Sequence, residues 1–294
     1  MKNCKHLFVL MLVLVISGCD DDSGHNHDDH DHDVDALTLD NCESSFGTGV
    51  DLFYSTYFSC VDATISGDNT VITSDNLPPY ESWYYSESNG NHIDYVSQGT
   101  GYYLNPNSIS SQNLSVSIPD NPTSKGLTIN EALVDGSVGT SADEYGMGPV
   151  GVALNGVALF NPLAAPPDDI EDEKYSFDYY SGHPTFDGTY HYHTTTKGPL
   201  EVLLEKGLIE TATVGSAEVE LYGMMCDGTV ILGCTELDGS TPDNSGFDAQ
   251  NGHVHDIGDG TTTFFTDRYH THICTDIFTG FKFTPEIQYY EGCN

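Results

Sequence analysis

The chain has 294 residues, with 8 Lys and Arg against 45 Asp and Glu, a formal net charge of −37. Binding to phosphate backbones needs the opposite sign, so nucleic acid is excluded as a partner. A charge of this size suits solubility in a salty medium, where ions screen the self-repulsion, better than it suits a specific cationic partner.

The N-terminus carries Lys2 and Lys5, an apolar run from Leu7 to Ile16, and then Ile16-Ser17-Gly18-Cys19. The run is too short to cross a bilayer as a mature helix. Together these features resemble a bacterial lipoprotein signal with its lipobox. Residues 1–18 are expected to be removed and Cys19 to carry lipid, tethering the protein to a membrane of the cell envelope, outside the cytoplasm. The mature chain would keep 8 − 2 = 6 basic residues and a formal charge of 6 − 45 = −39. Residues 19–40 follow as an expected tether, of which residues 20–35, rich in Asp and carrying His25, His27, His30 and His32, have almost no apolar content. It cannot build a core and reads as a disordered tether, one that also collects metal ions loosely.

From residue 41 the composition turns to Tyr, Thr, Ser, Val, Asn and Gly, with little helical periodicity. We divide it into a β-rich region, 41–145, and a second domain, 146–294. In the first, Thr70-Val71-Ile72-Thr73, Tyr102-Tyr103-Leu104 and Leu114-Ser115-Val116-Ser117-Ile118 read as short strands. In the second, two hairpins are predicted around Asn155-Gly156 and Asp227-Gly228, each flanked by apolar runs, because both turn positions require positive φ. Pro199 to Ile209 has Leu200, Leu203, Leu204 and Leu208 at helical spacing and predicts a short amphipathic helix. The expected fold is mainly β, a sandwich-like domain with at most short helices.

Each hairpin precedes one copy of a repeated pattern. The first is Phe177-Asp178-x-x-x-Gly182-His183 followed by Tyr190-His191-Tyr192-His193; the second is Phe247-Asp248-x-x-x-Gly252-His253 followed by Tyr269-His270-Thr271-His272. Counting His255, 7 of the 13 histidines lie in these blocks. Two copies of a hairpin-plus-His unit suggest a pseudo-twofold core. Residues i and i+2 of a strand share a face, so His191 projects with His193 and His270 with His272. His183 and His253 supply a third imidazole each, after a Gly that lets the chain turn. Three neutral imidazoles suit a transition metal, Cu or Zn. Asp178 and Asp248 are candidates to orient an imidazole or to bind the metal themselves. His255, present in one copy only, reads as peripheral, and His92 as structural.

Six cysteines remain beyond Cys4 and Cys19: Cys42, Cys60, Cys226, Cys234, Cys274 and Cys293. An even count in an exported chain predicts disulfides. Cys42–Cys60 is a local pair. The turn at Asp227-Gly228 separates Cys226 from Cys234, so these two are expected to bond Cys274 and Cys293, in an order the spacing leaves open. Cys274 as a thiolate ligand beside His272 is the alternative. The chain lacks Gly-x-Ser-x-Gly, His-Glu-x-x-His, Cys-x-x-Cys and a phosphate loop.

Tyr190-His191-Tyr192-His193, with Gly151-Val152-Ala153-Leu154-Asn155-Gly156-Val157, Gly182-His183-Pro184, the Asp227-Gly228 hairpin, Asp248, Gly252-His253, Tyr269-His270-x-His272 and Gly292-Cys293, resembles the YHYH domain family. Leu77-Pro78-Pro79-Tyr80 resembles a stretch that often precedes that domain, with Tyr80 where a His is expected. Residues 179–181 and 249–251 lack the Cys that family members often carry there, and Thr271 replaces the second Tyr of the motif. The resemblance implies kinship of fold and an exported bacterial protein, and no settled activity. Three functions are compatible with the residues: a membrane-tethered metal-binding protein, a structural or adhesive surface protein whose histidines only support the core, and a metalloenzyme, either hydrolase or copper oxidoreductase, at the same site.

Overall fold

A computed structural model describes residue 39 and residues 42–135, 142–166, 168–274 and 282–293. The expected signal peptide, Cys19 and the His-rich tether through residue 38 lie outside the described residues. Val34–Asn294 form one compact unit.

The unit is mainly β, in two sheets. The first has four strands in the order β1 (Ser45–Phe46), β2 (Asp62–Ser66), β3 (Asn69–Ser74) and β4 (Leu114–Pro119). In β4 Leu114, Val116 and Ile118 are buried while Ser115 and Ser117 are exposed, the alternation that a one-sided sheet imposes. Before β2, the helix α1 (Leu52–Tyr57) is capped by the Asp51 side chain, which accepts from Phe53 N, and buries Phe53, Tyr54 and Tyr57. The expected strand at Tyr102–Leu104 does not form. That stretch is irregular, its Tyr103 N–H donating to the Tyr175 carbonyl.

The second sheet has eight strands: β5 (Gly151–Ala153), β6 (Ala158–Leu159), β7 (Gly182–Pro184), β8 (Tyr190–Tyr192), β9 (Leu221–Met225), β10 (Val230–Leu232), β11 (Gly252–Gly258) and β12 (Thr263–His272). Their order, β11-β12-β10-β9-β5-β6-β8-β7, is a palindrome of the repeat. In each half a hairpin (β5-β6, β9-β10) passes its second strand in parallel to the His-x-His strand (β8, β12), which pairs antiparallel with the Gly-His strand (β7, β11). Ala158 stands opposite His191 and Val230 opposite His270. The halves meet antiparallel, with Val152 opposite Met224, and the pseudo-twofold axis passes at that pair. One hydrophobic cluster joins Ala63, Ile72, Val116 and Ile118 of the small sheet to Val152, Leu159, Tyr190, Leu221 and Ile231 of the large one.

The helices are short: α2 (Glu131–Val134), α3 (Ile170–Glu173) and α4 (Lys197–Glu205). The helix expected over 199–209 starts earlier, where the Thr196 side chain caps Gly198 N, and ends at Glu205. Leu200 and Leu203 face the core, whereas Leu204 and Leu208 are exposed, so the apolar stripe is narrower than its spacing implied. Among the described residues no helix is long and apolar enough to cross a membrane.

The glycines of the Gly-His elements have a different task from the expected turn. Positive φ falls instead on the preceding residues, Ser181 at 55° and Asn251 at 57°. A Cβ on Gly182 would stand 2.5 Å from Tyr190 Oη, and one on Gly252 1.9 Å from Tyr269 Oη. The glycines admit a tyrosine ring from the neighbouring strand. Gly182→Ala should therefore cost about 3 kcal/mol in urea unfolding, by overpacking a ring that is hydrogen-bonded in place. Gly90→Ala, where an added Cβ meets nothing within 4 Å, is the control and should change little.

Candidate metal centres

Alternation in β8 sends Tyr190 and Tyr192 to one face of the sheet and His191 to the other, where His193 joins it just past the strand end. His183 reaches the same point from β7, directly opposite His191. In the second half β12 and β11 repeat this with His270, His272 and His253. The structure thus gathers the six histidines into two separate groups. One is His183, His191 and His193; the other is His253, His270 and His272 with Glu236. β8 and β12 are five strand positions apart in the sheet order, on the order of 24 Å along the sheet.

The hydrogen bonds determine which ring nitrogens carry protons. His191 Nδ1 lies 3.0 Å from the Thr189 carbonyl and His193 Nδ1 2.5 Å from that of Asn161. His270 Nδ1 lies 3.1 Å from the Arg268 carbonyl and His272 Nδ1 3.0 Å from that of Gly233. A carbonyl only accepts, so each Nδ1 is the donor and each Nε2 of a neutral ring is a bare lone pair. Ser176 Oγ, 2.7 Å from His183 Nδ1, can donate or accept and so admits either tautomer of that ring. The Nε2 atoms of each group converge. His191 Nε2 is 2.9 Å from His193 Nε2 and 3.0 Å from His183 Nε2, and His253 Nε2 is 2.8 Å from His270 Nε2. Glu236 Oε1 sits 3.4 Å from the Nε2 atoms of His253 and His272, and its Oε2 3.2 Å from that of His270. His272 Nε2 is buried with no hydrogen-bond partner. Four ligands at 2.0–2.1 Å around a tetrahedral zinc stand about 3.3 Å from one another, close to these separations.

A neutral N–H···N bond, with His183 or His253 in the Nε2–H tautomer, would also join the facing nitrogens, whereas burial opposes an added, charged proton. Burial, and then the neighbouring imidazoles, hold His183 and His191 well below the usual histidine range; burial lowers His193 to about 4. His253 is also lowered to about 4, by burial and then by His270. At neutral pH these rings are uncharged and available to a metal. Glu236 is ionised: burial would raise its pKa, but the adjacent imidazoles of His270 and His272 take it well below the usual carboxylate range.

Asp178 and Asp248 do not touch the imidazoles in the way expected of orienting carboxylates. Asp178 accepts from Tyr180 N at 2.9 Å, Tyr190 Oη at 2.8 Å and Ser82 Oγ at 2.6 Å. Asp248 accepts from Gly252 N at 2.8 Å and Tyr269 Oη at 2.6 Å. Both anchor the tyrosines behind the histidines, and burial raises Asp178 to about 6. The Phe of each motif packs the rings instead: Phe177 lies parallel to His193 and edge-on to His183, Phe247 parallel to His272 and edge-on to His253. Tyr80 meets the hydroxyls of Tyr190 and Tyr192 on the far face and stacks on Tyr180, a packing role. His92 Nδ1 bonds the Tyr85 carbonyl, away from both groups.

Glu236 and Glu173 are the residues that sequence reasoning missed. Glu173 Oε1 stands 3.7 Å from His183 Nε2. Each glutamate lies in the connection between the second hairpin strand and the Gly-His strand, but in segments of unlike length and sequence, so no shared spacing marks them.

The cysteines form three disulfides, Cys42–Cys60, Cys226–Cys293 and Cys234–Cys274. The parallel register that sets Leu232 opposite His272 also sets Cys234 beside Cys274, two residues on, so Cys274 is a disulfide partner and not a thiolate ligand. This bridge closes the loop that carries Gly233 and Glu236 onto the strand that carries His272. The disulfides place the folded unit in an oxidising compartment, extracellular or periplasmic.

The fold and these groups define a disulfide-linked, mainly β protein with a duplicated histidine site. Residues 115–245 match the model of the YHYH protein family. The match takes in both hairpins and the first histidine group and stops short of His253. No curated protein and no solved structure gives a match.

Cys234→Ser/Cys274→Ser should weaken metal binding at the second group by about 10-fold or more, through loss of the support behind Glu236 and His272, and leave the first unchanged. Competition against a chelating dye reads both. In chelator, the buried neutral His193 should make the protein acid-sensitive. Unfolded, this ring takes a proton near 6.5 but folded only near 4, so stability worth about 3 kcal/mol is lost as pH falls through that window. His193→Gln lacks this contribution, and its stability difference from wild type in urea should shrink by that amount between pH 7 and pH 4.

Proposed function

We propose that this protein binds two transition-metal ions, Cu or Zn, one at each histidine group, on a lipid anchor at the cell envelope. The observation that carries this reading is the convergence of imidazole Nε2 atoms at 2.8–3.0 Å in both halves of the sheet. Histidines that served only the core would have both ring nitrogens satisfied, whereas His272 Nε2 has no hydrogen-bond partner. Three imidazoles at the first centre suit Cu or Zn; three imidazoles and a carboxylate at the second suit Zn. The lipid on Cys19 and the His-rich segment after it would keep the protein at the membrane and concentrate ions beside the folded unit. A metalloenzyme is the second reading, favoured by a cleft of about 730 Å³ lined by Glu236 and His253, with room for a substrate at the second centre.

Elemental analysis of Val34–Asn294, purified without chelator and untagged, tests the reading free of the His-rich segment. Two equivalents of Zn or Cu are expected. His191→Ala/His193→Ala should lose one and His270→Ala/His272→Ala the other, with folding checked by near-ultraviolet circular dichroism. Folded protein that holds no metal and takes up no added ion would overturn the proposal.

A further inference from the structure

The two centres differ in their access to solvent. His183, His191 and His193 are 1%, 3% and 2% exposed. At the second centre the side chains of His253 and Glu236 keep 14% and 13% exposure and line the 730 Å³ cleft. His255 lines the same cleft, is exposed, and lies two residues from His253 on the same face of β11. Its ring is nearly parallel to that of His253, with centroids 5.9 Å apart. Asp243 also lines the cleft, and no Lys or Arg does. In the first half the position equivalent to His255 is Thr185, whose hydroxyl is engaged by Asp187. An imidazole stands at the mouth only where the centre is open.

We propose that His255 is a transfer ligand through which a divalent cation enters and leaves the second centre. The acidic cleft raises the local concentration of cations. His255 takes the partly hydrated ion first, and the ion moves to His253 and then to the full set of His253, His270, His272 and Glu236. No bond to His255 persists in the loaded centre. The residue therefore lowers the barrier in both directions and leaves the equilibrium unchanged. The first centre, lacking such a ligand and sealed, exchanges slowly. This inference rests on the metal reading above.

The test is stopped-flow uptake of Zn²⁺ by metal-free Val34–Asn294, and release of Zn²⁺ from the loaded protein to a chelating dye, in a His191→Ala/His193→Ala background that isolates the second centre. His255→Ala should slow both rates by about 10-fold with Kd unchanged within about 2-fold, and His255→Asp, which restores a cation ligand, should recover much of the loss. Unchanged rates at full zinc loading would overturn the transfer role alone. A Kd weakened as much as the uptake rate would also overturn it, by making His255 a ligand of the loaded centre. A second centre that in the parent protein holds neither zinc nor copper and takes up no added ion would overturn this inference and the metal reading together.

Discussion

The bond between a carboxylate and a buried phenol, Asp178 with Tyr190 and Asp248 with Tyr269, holds each histidine centre in place. The carboxylate is tied to its own turn by the backbone N–H groups of residues 180 and 182, or of 250 and 252. Its grip on the tyrosine aligns the Gly-His strand with the His-x-His strand. Glycine at 182 and 252 is what allows the ring to lie close enough. Once the tyrosine faces the core, strand alternation sends the histidines to the other face, and backbone carbonyls on Nδ1 aim the Nε2 atoms of His191, His193, His270 and His272 inward.

Around this shared frame the halves have diverged. In the first, Ser176 Oγ meets His183 Nδ1, the rings are sealed, and Glu173 stands off. In the second, Gly246 replaces that serine, Glu236 closes in on the imidazoles, a disulfide braces the ligand loop, and a cleft reaches His253. Duplication by a twofold axis through Val152 and Met224 places the centres at opposite ends of the sheet. Each can therefore have its own chemistry, as two histidine groups far beyond contact do not constrain one another.

Much of this was legible in the residues. Asn155-Gly156 and Asp227-Gly228 announce their hairpins, although only the glycines, at 78° and 94°, take the positive φ expected of both turn positions. Spacing of two in His191-x-His193 and His270-x-His272 announces a shared face. Local signals were weaker where the partner is distant. Tyr102–Leu104 has strand composition but no neighbouring strand to pair with, and Leu204 and Leu208 continue a helical stripe beyond the surface they would need to bury. The glycines of the Gly-His elements looked like turn residues, and only the approach of a tyrosine ring from the next strand explains them.

By itself the sequence determined the mainly β class, the duplication, the repeated set of three histidines in each half and the even set of cysteines, because each is written in local periodicity or in short repeats. Tertiary structure decided what depends on which strands lie side by side. The parallel pairing of β10 with β12 chose Cys234–Cys274 and brought Glu236 to the second centre. The palindromic sheet order made two centres and not one. The loops between β10 and β11 left one of them open to solvent. Strand pairing between residues tens of positions apart is a property of the packed chain, and no local spacing encodes it.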